Sequence, residues 1–322
     1  MLGLGNSISR SDFIQSASLL LDRSFAAGPA VAYSLRKISS SYSGPAVQIR
    51  RASDNVEVNV NFDSDGVVSL NSTISNVTEE TTGSSTSLTT SAKTLGQFVA
   101  NASYTDADSL GSTDSALVQC WYDQSGNSND ITQDAAAKHP RLISSGAFEV
   151  DNSKPAVKFL DNSDILQSSS ASEFNSVIQN ELYCVASYGT IDVGNQYAAG
   201  VQIGGSTRGI MIGTNTSGAD IRYHCNATNF VAAAGGNIST DTQILHGGTF
   251  DGTTRHARLN GASVATNTSA PNTSTANSYF IGKHPSLTAG ADKKVQEFIL
   301  YASRNGNESD IESEINTFYS IF

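Results

Sequence analysis

Basic charge is scarce in this chain: 19 lysines and arginines stand against 30 aspartates and glutamates, a net charge of -11. No Lys/Arg cluster reverses that sign locally, so a phosphate backbone is repelled and nucleic-acid binding is excluded as a function class. Cysteine is nearly missing. Cys120, Cys184 and Cys225 are odd in number and widely spaced, which allows one internal disulfide at most and excludes both a disulfide framework and a zinc site. Buried free thiols are expected. No apolar run approaches membrane-spanning length, which argues against membrane insertion, and MLGLGNSISRSDF lacks the charged start and long apolar stretch of a secretory signal. The expectation is release inside a cell. Nine Asn-x-Ser/Thr sequons (Asn71, Asn76, Asn101, Asn215, Asn226, Asn237, Asn267, Asn272, Asn307) are then read as chance products of a composition rich in those residues. No internal repeat is present, and tryptophan occurs once, at Trp121.

What remains is 322 residues, 38% hydrophobic and otherwise dominated by Ser, Thr, Asn and Gly. A chain of this length buries about 75% of its unfolded surface. Apolar residues alternate with polar ones in AVQIRR and VEVNVNF, the period-two pattern of half-buried antiparallel strands. AVKFL, ELYCVASY, RGIMIG, DIRYHC, SYFIG and VQEFILY read as further strands. TRHARLNGASVAT reads as a hairpin, because Asn260-Gly261 suits a type I′ turn with φ > 0 at both central residues. Glu79 to Lys93, with almost no apolar content, reads as an exposed loop.

Helical spacing is confined to the ends. Phe13, Ala17, Leu20 and Leu21 predict a short amphipathic helix over Ser11 to Phe25, so residues 1–28 read as a docking arm and 29–322 as one β-sandwich domain. Near the C-terminus Ile311, Ile315, Phe318, Tyr319 and Phe322 form one apolar stripe behind a capping-box pattern at Ser309 and Glu312, which predicts a helix packed on the sandwich.

The candidate site is WYDQSGNSNDITQ. Asp123 with Asn127 could bind sugar hydroxyls while Trp121 or Tyr122 stacks on a ring, an apolar platform beside polar contacts. The other reading is structural: an Asx turn closed by Asp123 onto Ser125 and Gly126, with Trp121 in the core. Glycoside hydrolysis needs two carboxyl groups at a defined separation. Between Gly189 and Gly290 the acids are Asp192, Asp220, Asp241 and Asp251, and the last three sit where Asp usually serves a turn. Asp63/Asp65, Asp106/Asp108 and Asp161/Asp164 could offer oxygen ligands to calcium, but none completes a calcium loop. His139, His224, His246, His256 and His284 show no metal-ligand spacing. No metal ligand set is assigned and no cofactor is expected, with calcium left as the alternative.

AYSLRKISSSYSGPAVQIRRASDN and WYDQSGNSNDITQ, followed by HPRLISSG, resemble the start of the fungal and bacterial α-L-arabinofuranosidase B catalytic domain. They resemble still more the concanavalin A-like or laminin-G-like proteins of tailed, particularly marine, bacteriophages. VQEFILYASRNGNESDIESEINTFYSIF is similar to the last strand and helix of those phage proteins. The resemblance covers about a third of the chain and implies an all-β, concanavalin A-like jelly-roll sandwich. In the arabinofuranosidases it implies a carboxylate nucleophile and acid beside an adjacent Cys-Cys pair. Here Cys184 stands alone and no Asp-Leu-Glu motif is found, so no catalytic residue is carried over.

The resulting expectation is a non-enzymatic virion structural protein assembled in a host cytoplasm and forming a homo-oligomer. Residues 1–28 would dock on other virion proteins, and the lectin-like sandwich would serve tail or baseplate adhesion to host glycans through Trp121, Tyr122, Asp123 and Asn127. A capsid decoration protein and a glycoside hydrolase related to the arabinofuranosidases are the alternatives.

Overall fold

The computed structural model describes residues 18–81, 84–87, 93–100, 114–160, 163–175, 177–191, 196–204, 209–214, 220–225, 230–232, 238–268, 275–286 and 292–322. In chain order the strands are β1 Val31–Ser34, β2 Val47–Arg51, β3 Val56–Val60, β4 Ile74–Thr81, β5 Ser84–Ser87, β6 Ala116–Trp121, β7 Ile131–Thr132 and β8 Arg141–Ser144. They continue with β9 Ala147–Phe148, β10 Val150–Asp151, β11 Lys154–Pro155, β12 Val157–Phe159, β13 Ile165–Gln167, β14 Asn180–Tyr188, β15 Gln196–Ile203 and β16 Gly209–Thr214. The last are β17 Ile221–Cys225, β18 Phe230–Ala232, β19 Ile244–Phe250, β20 Thr254–Leu259, β21 Ala262–Thr268, β22 Ala276–Gly282 and β23 Lys293–Tyr301. Two α-helices are described, α1 Leu95–Ala100 and α2 Glu308–Tyr319.

All pairings between these strands are antiparallel. One sheet runs β21, β20, β19, β14, β23, and the far edge of β23 is shared by β1 and β12. The other runs β18, β17, β16, β15, β22, β13, and continues through β7 to β6, β2, β3, β4 and β5. Strand β8 pairs with both β6 and β12 and so joins the sheets along one margin. This is the all-β sandwich that the alternating pattern requires.

Alternation also sorts the core. In β14, Leu182, Cys184, Ala186 and Tyr188 enter the layer between the sheets, while Tyr183 and Val185 face the opposite way. That outer layer, with Leu245, Ile299 and Tyr301, is covered by Ile311, Ile315 and Tyr319 of α2 and by Leu20 and Ala26 of the N-terminal segment. Each leucine and isoleucine among them gains about 1.5–3 kcal/mol by leaving water. Gly248 is small because the Tyr223 ring occupies the space: a Cβ there would lie 2.3 Å from it. Asn260 (φ 50°) and Gly261 (φ 81°) make the left-handed turn between β20 and β21, as the dipeptide demands.

Three local expectations need correction. The expected helix over Ser11 to Phe25 lies partly outside the described residues, and its described part forms 3-10 turns at Leu20–Asp22 and Ser24–Ala26. Leu21 N–H donating to Ile38 O, and Asp22 accepting from Ser40 N–H, fix that stretch to the sandwich instead of continuing a helix. The supposed loop from Glu79 contains the end of β4 and all of β5, in register from Thr78 opposite Ser87 to Thr81 opposite Ser84; threonine suits a strand without needing a buried face. The capping box foreseen at Ser309 and Glu312 does not form. Asn307 precedes the helix without a side-chain cap, and Glu312 instead takes a bidentate bond from Arg258, at 2.6 and 2.7 Å, which ties α2 to β20. A capping box does open α1, where Thr94 Oγ1 accepts from Gln97 N–H and Gln97 Oε1 accepts from Thr94 N–H.

Candidate functional site

The tryptophan corner is a joint between β6 and the segment around β1. Trp121 ends β6 opposite Val47 and is completely buried, with its ring 6.4 Å from that of Tyr33. With no exposed surface it offers no face for a sugar to stack on. Asp123 Oδ1 accepts from the N–H groups of Ala32 (2.8 Å) and Ser125 (2.9 Å), and its Oδ2 accepts from the Ser125 hydroxyl (2.6 Å) and Asn129 N–H (3.1 Å). Gln124 accepts from Ile38 N–H and donates to the carbonyls of Ser34 and Arg36. Asn127 donates to the carbonyls of Pro29 and Ala30. Tyr122, half-buried, donates to Asn59 Oδ1 at 2.8 Å. Every side chain the sequence offers here for ligand binding is engaged with its own chain.

Most remaining candidates are likewise local. Asp251 Oδ1 accepts from Thr253 and Thr254 N–H, and Asp63 accepts from Asp65 and Val67 N–H and from the Ser69 hydroxyl, as turn carboxyls do. Asp106, Asp108, Asp161, Asp192 and the sequons at Asn101, Asn215, Asn226, Asn237 and Asn272 lie outside the described residues. No group of three metal-binding side chains occurs among the described residues. His246 and His284 are buried, and burial holds their protonation down, to about 3 and about 4. The three cysteines are free and buried, and burial raises all three thiols.

A different place gathers ionisable groups around an opening. Two adjoining clefts, of ≈ 380 and ≈ 230 Å³, open at one end of the sheet that carries β14 and β23, and Asp241 lines both. The first is also lined by Asp151 and Asn152 of the β10–β11 hairpin, by Gln243 and by Ser320 and Ile321 after α2. The second is lined by Lys158, Ser187, Gly189, Asp292, Lys293 and Lys294. The walls are firmly held: Gln296 Nε2 donates to the carbonyls of Asp151, Lys154 and Pro155, and Asn152 Nδ2 donates to Gln243 Oε1 and Tyr319 O. Gly189 leaves room for the acids, since a Cβ there would lie 3.1 Å from that of Asp292 and 3.6 Å from Asp241 Oδ1.

Asp151 is the perturbed group. Burial raises its pKa and the nearby Asp241 adds a little, against the opposing pull of the Ser187 hydroxyl, Lys294 and the Asn152 N–H. Its Oδ2 is buried without a hydrogen-bond partner. Asn152, Asp241 and Ser320 also hold left-handed backbone (φ 44°, 53° and 55°), so three tight turns converge on one opening. Lys293, at the adjoining wall, is pushed down to about 8 by burial and donates to Gly282 O at 2.9 Å. A carboxyl whose protonation burial favours, lining one opening with a second carboxyl, has the chemistry to pass a proton to a leaving oxygen while a neighbour assists.

No protein-family model and no curated protein matches this chain. Solved structures do match it. A GH54 α-L-arabinofuranosidase soaked with a cyclic sulfate inhibitor superposes with a TM-score of 0.59 at 15% identity, over 92% of this chain and 64% of that one. An arabinofuranosidase complexed with arabinofuranosyl-α-1,2-xylobiose gives 0.58 at 17% identity, over 89% and 62%. The likeness is one of fold. The chain spans somewhat less than two thirds of the length of these enzymes.

These matches correct the expectation of a non-enzymatic virion protein. The sandwich shared over nearly all of this chain is one that glycoside hydrolases carry, so neither the fold nor its polar loops argue for a tail, baseplate or capsid role, and catalysis is not excluded. The partial similarity to the arabinofuranosidases is the part of the resemblance that the comparison shows.

Proposed function

We propose that the chain is a glycoside hydrolase of the arabinofuranosidase kind, acting on a furanose ring seated in the cleft between the β10–β11 hairpin and Asp241. The carrying observation is that the Asp151 carboxyl, whose protonation burial favours, lines the same opening as Asp241. Asp151 gives its proton to the glycosidic oxygen as the bond to the sugar breaks. Asp241 meets the developing positive charge, either by attacking the sugar carbon or by activating a water, according to the separation of the two carboxyl groups. Lys158 and Lys294, from the adjoining wall, keep the local field from becoming uniformly acidic. The matched enzymes, one of them holding arabinofuranosyl-xylobiose, supply the sugar class.

The test is release of 4-nitrophenol from 4-nitrophenyl α-L-arabinofuranoside, a compound soaked into a Glu-to-Gln mutant of one matched enzyme. Turnover should fall about 10²–10⁴-fold in Asp151→Asn and in Asp241→Asn, the usual worth of a positioned acid or base. Undiminished turnover in either variant, or binding of arabinofuranosyl-xylobiose by the unsubstituted protein without any hydrolysis, refutes the assignment.

A further inference from the structure

The smaller cleft continues onto the outer face of its sheet. Residues directly opposite one another on paired strands point to the same face, and the registers line up four of them. Arg141 of β8 lies opposite Lys158 of β12, Lys158 opposite Lys294 of β23, and Lys294 opposite Ser187 of β14. Val157, Phe159 and Val295 beside them enter the core, so the three cations stand in one row on the outside. Like charges set side by side across strands are destabilising. Even so, three of only 19 basic residues share this row in a chain of net charge -11. The ends of the row are occupied: Arg141 approaches Glu149 at 3.9 Å, and Lys294 Nζ donates to Val150 O at 2.7 Å. Lys158, between them and half-buried, has no ion-pair partner among the described residues.

The row ends at the proposed proton donor. The Ser187 hydroxyl bonds to the Asp151 carboxyl, and Lys158 stands two strand spacings from Ser187, about 10 Å. The acids of the cleft keep to its other side. Asp292 and Asp241 both crowd the position of Gly189, two residues beyond Ser187 and about 7 Å along the strand direction. Lys293 is turned away onto Gly282 O. One flank of the cleft is therefore acidic, at Gly189, and the other cationic, at Lys158 and Lys294.

We propose that this row binds an anionic substituent, a uronic carboxylate or a sulfate ester, on the glycan from which the furanose is removed. The inference rests on the hydrolase reading and narrows its substrate to an acidic polysaccharide. A glycan chain that leaves the opening past Ser187 runs away from Asp241 and Asp292 and crosses Lys294, Lys158 and Arg141 in turn. Lys158 is the ammonium left to meet it, and a compact charge on a flexible stem needs no fixed two-point geometry.

The probes are three galactose-based oligomers of equal length, one neutral, one carrying sulfate esters and one in the uronic acid form, each titrated into the protein by calorimetry at low salt. A charged oligomer should bind about tenfold more tightly than the neutral one, and the tighter of the two charged forms tells carboxylate from sulfate. Added salt should weaken that binding, because a half-buried charge is screened. Lys158→Gln should lose about fivefold in affinity for the charged oligomer, the worth of one half-exposed ion pair. Lys158→Arg should recover most of it, and Lys138→Gln, at an exposed lysine outside the row, should change nothing. With a repulsion relieved, Lys158→Gln should also melt no lower than the parent. Equal affinity for all three oligomers, an unaltered charged affinity in Lys158→Gln, or an equal loss in Lys138→Gln overturns the assignment. The two readings fail separately. A charged oligomer held through Lys158 by a protein that does not cleave 4-nitrophenyl α-L-arabinofuranoside removes the hydrolase and keeps the row, whereas cleavage with no preference among the oligomers removes the row and keeps the hydrolase.

Discussion

The tryptophan corner and the Asp151 cleft are both rich in Asp, Asn, Ser and Gln, yet they use those groups in opposite ways. At the corner the Asp123, Gln124 and Asn127 side chains all bond to backbone groups, mostly of residues 29–38. At the cleft Asp151 and Asp241 line one opening instead of closing a turn on each other. Polar residues that satisfy one another hold a fold, whereas polar residues lining an opening can meet a ligand. Density of polar letters does not distinguish the two; the bonds already made do.

Substitutions should separate the regions cleanly. Asp151→Asn carries the largest effect, the 10²–10⁴-fold loss of turnover, and it should not destabilise the fold. The sign follows from its raised protonation. Asp151 contributes stability that is fully present below the ordinary carboxyl range and is lost as pH rises through its folded value. The amide escapes that loss, so the melting temperature at pH 7 should not fall, and parental activity should decline as pH rises through the folded value of Asp151. Asp123→Ala should do the reverse. It strands three backbone N–H groups and a hydroxyl, costing about 3–5 kcal/mol in urea unfolding, with turnover per folded molecule unchanged. Gln124→Ala, which frees Ile38 N–H and two carbonyls, should cost about 2 kcal/mol by the same measurement. A loss of activity without a loss of stability in either corner variant would break the comparison.

A smaller effect sets the acid limit for both regions. His246 and His284 are held neutral in the fold, so the stability they lend is present above the ordinary imidazole value near 6.5. It is lost as pH falls towards about 4 for His284 and about 3 for His246. The decline should approach about 1.4 kcal/mol per pH unit for each ring, read from unfolding free energies between pH 6.5 and 4. Asn substitutions at both positions should flatten it.

The fold was largely legible in the sequence because strand alternation is a local signal. Val47, Ile49, Val56 and Val58 announce their burial within a few letters, and Asn260-Gly261 announces its turn. Helix α1 was missed although Thr94 and Gln97 spell a capping box, since six helical residues give too short a period to notice. The cleft was not legible at all. Asp151, Asp241, Ser187 and Lys294 come from four separated stretches, and in each the residue looks like an ordinary turn or strand-end polar group. Only the pairing of β14 with β23 and the docking of α2 bring them together. The corner carries two readings for the opposite reason: its residues are contiguous, so they look like a site, and they also build one compact turn.

Strand β1 pairs with β23, from Val31 opposite Leu300 to Ser34 opposite Glu297. An edge that joins residues some 260 positions apart cannot form during early synthesis on the ribosome. Until β23 emerges the hydrogen-bonding groups of β1 wait uncovered, and until α2 emerges so does the outward row of β14, a long contact order that slows closure and exposes a sticky margin to other nascent chains. Refolding yield should therefore depend on protein concentration more steeply than native stability alone would suggest.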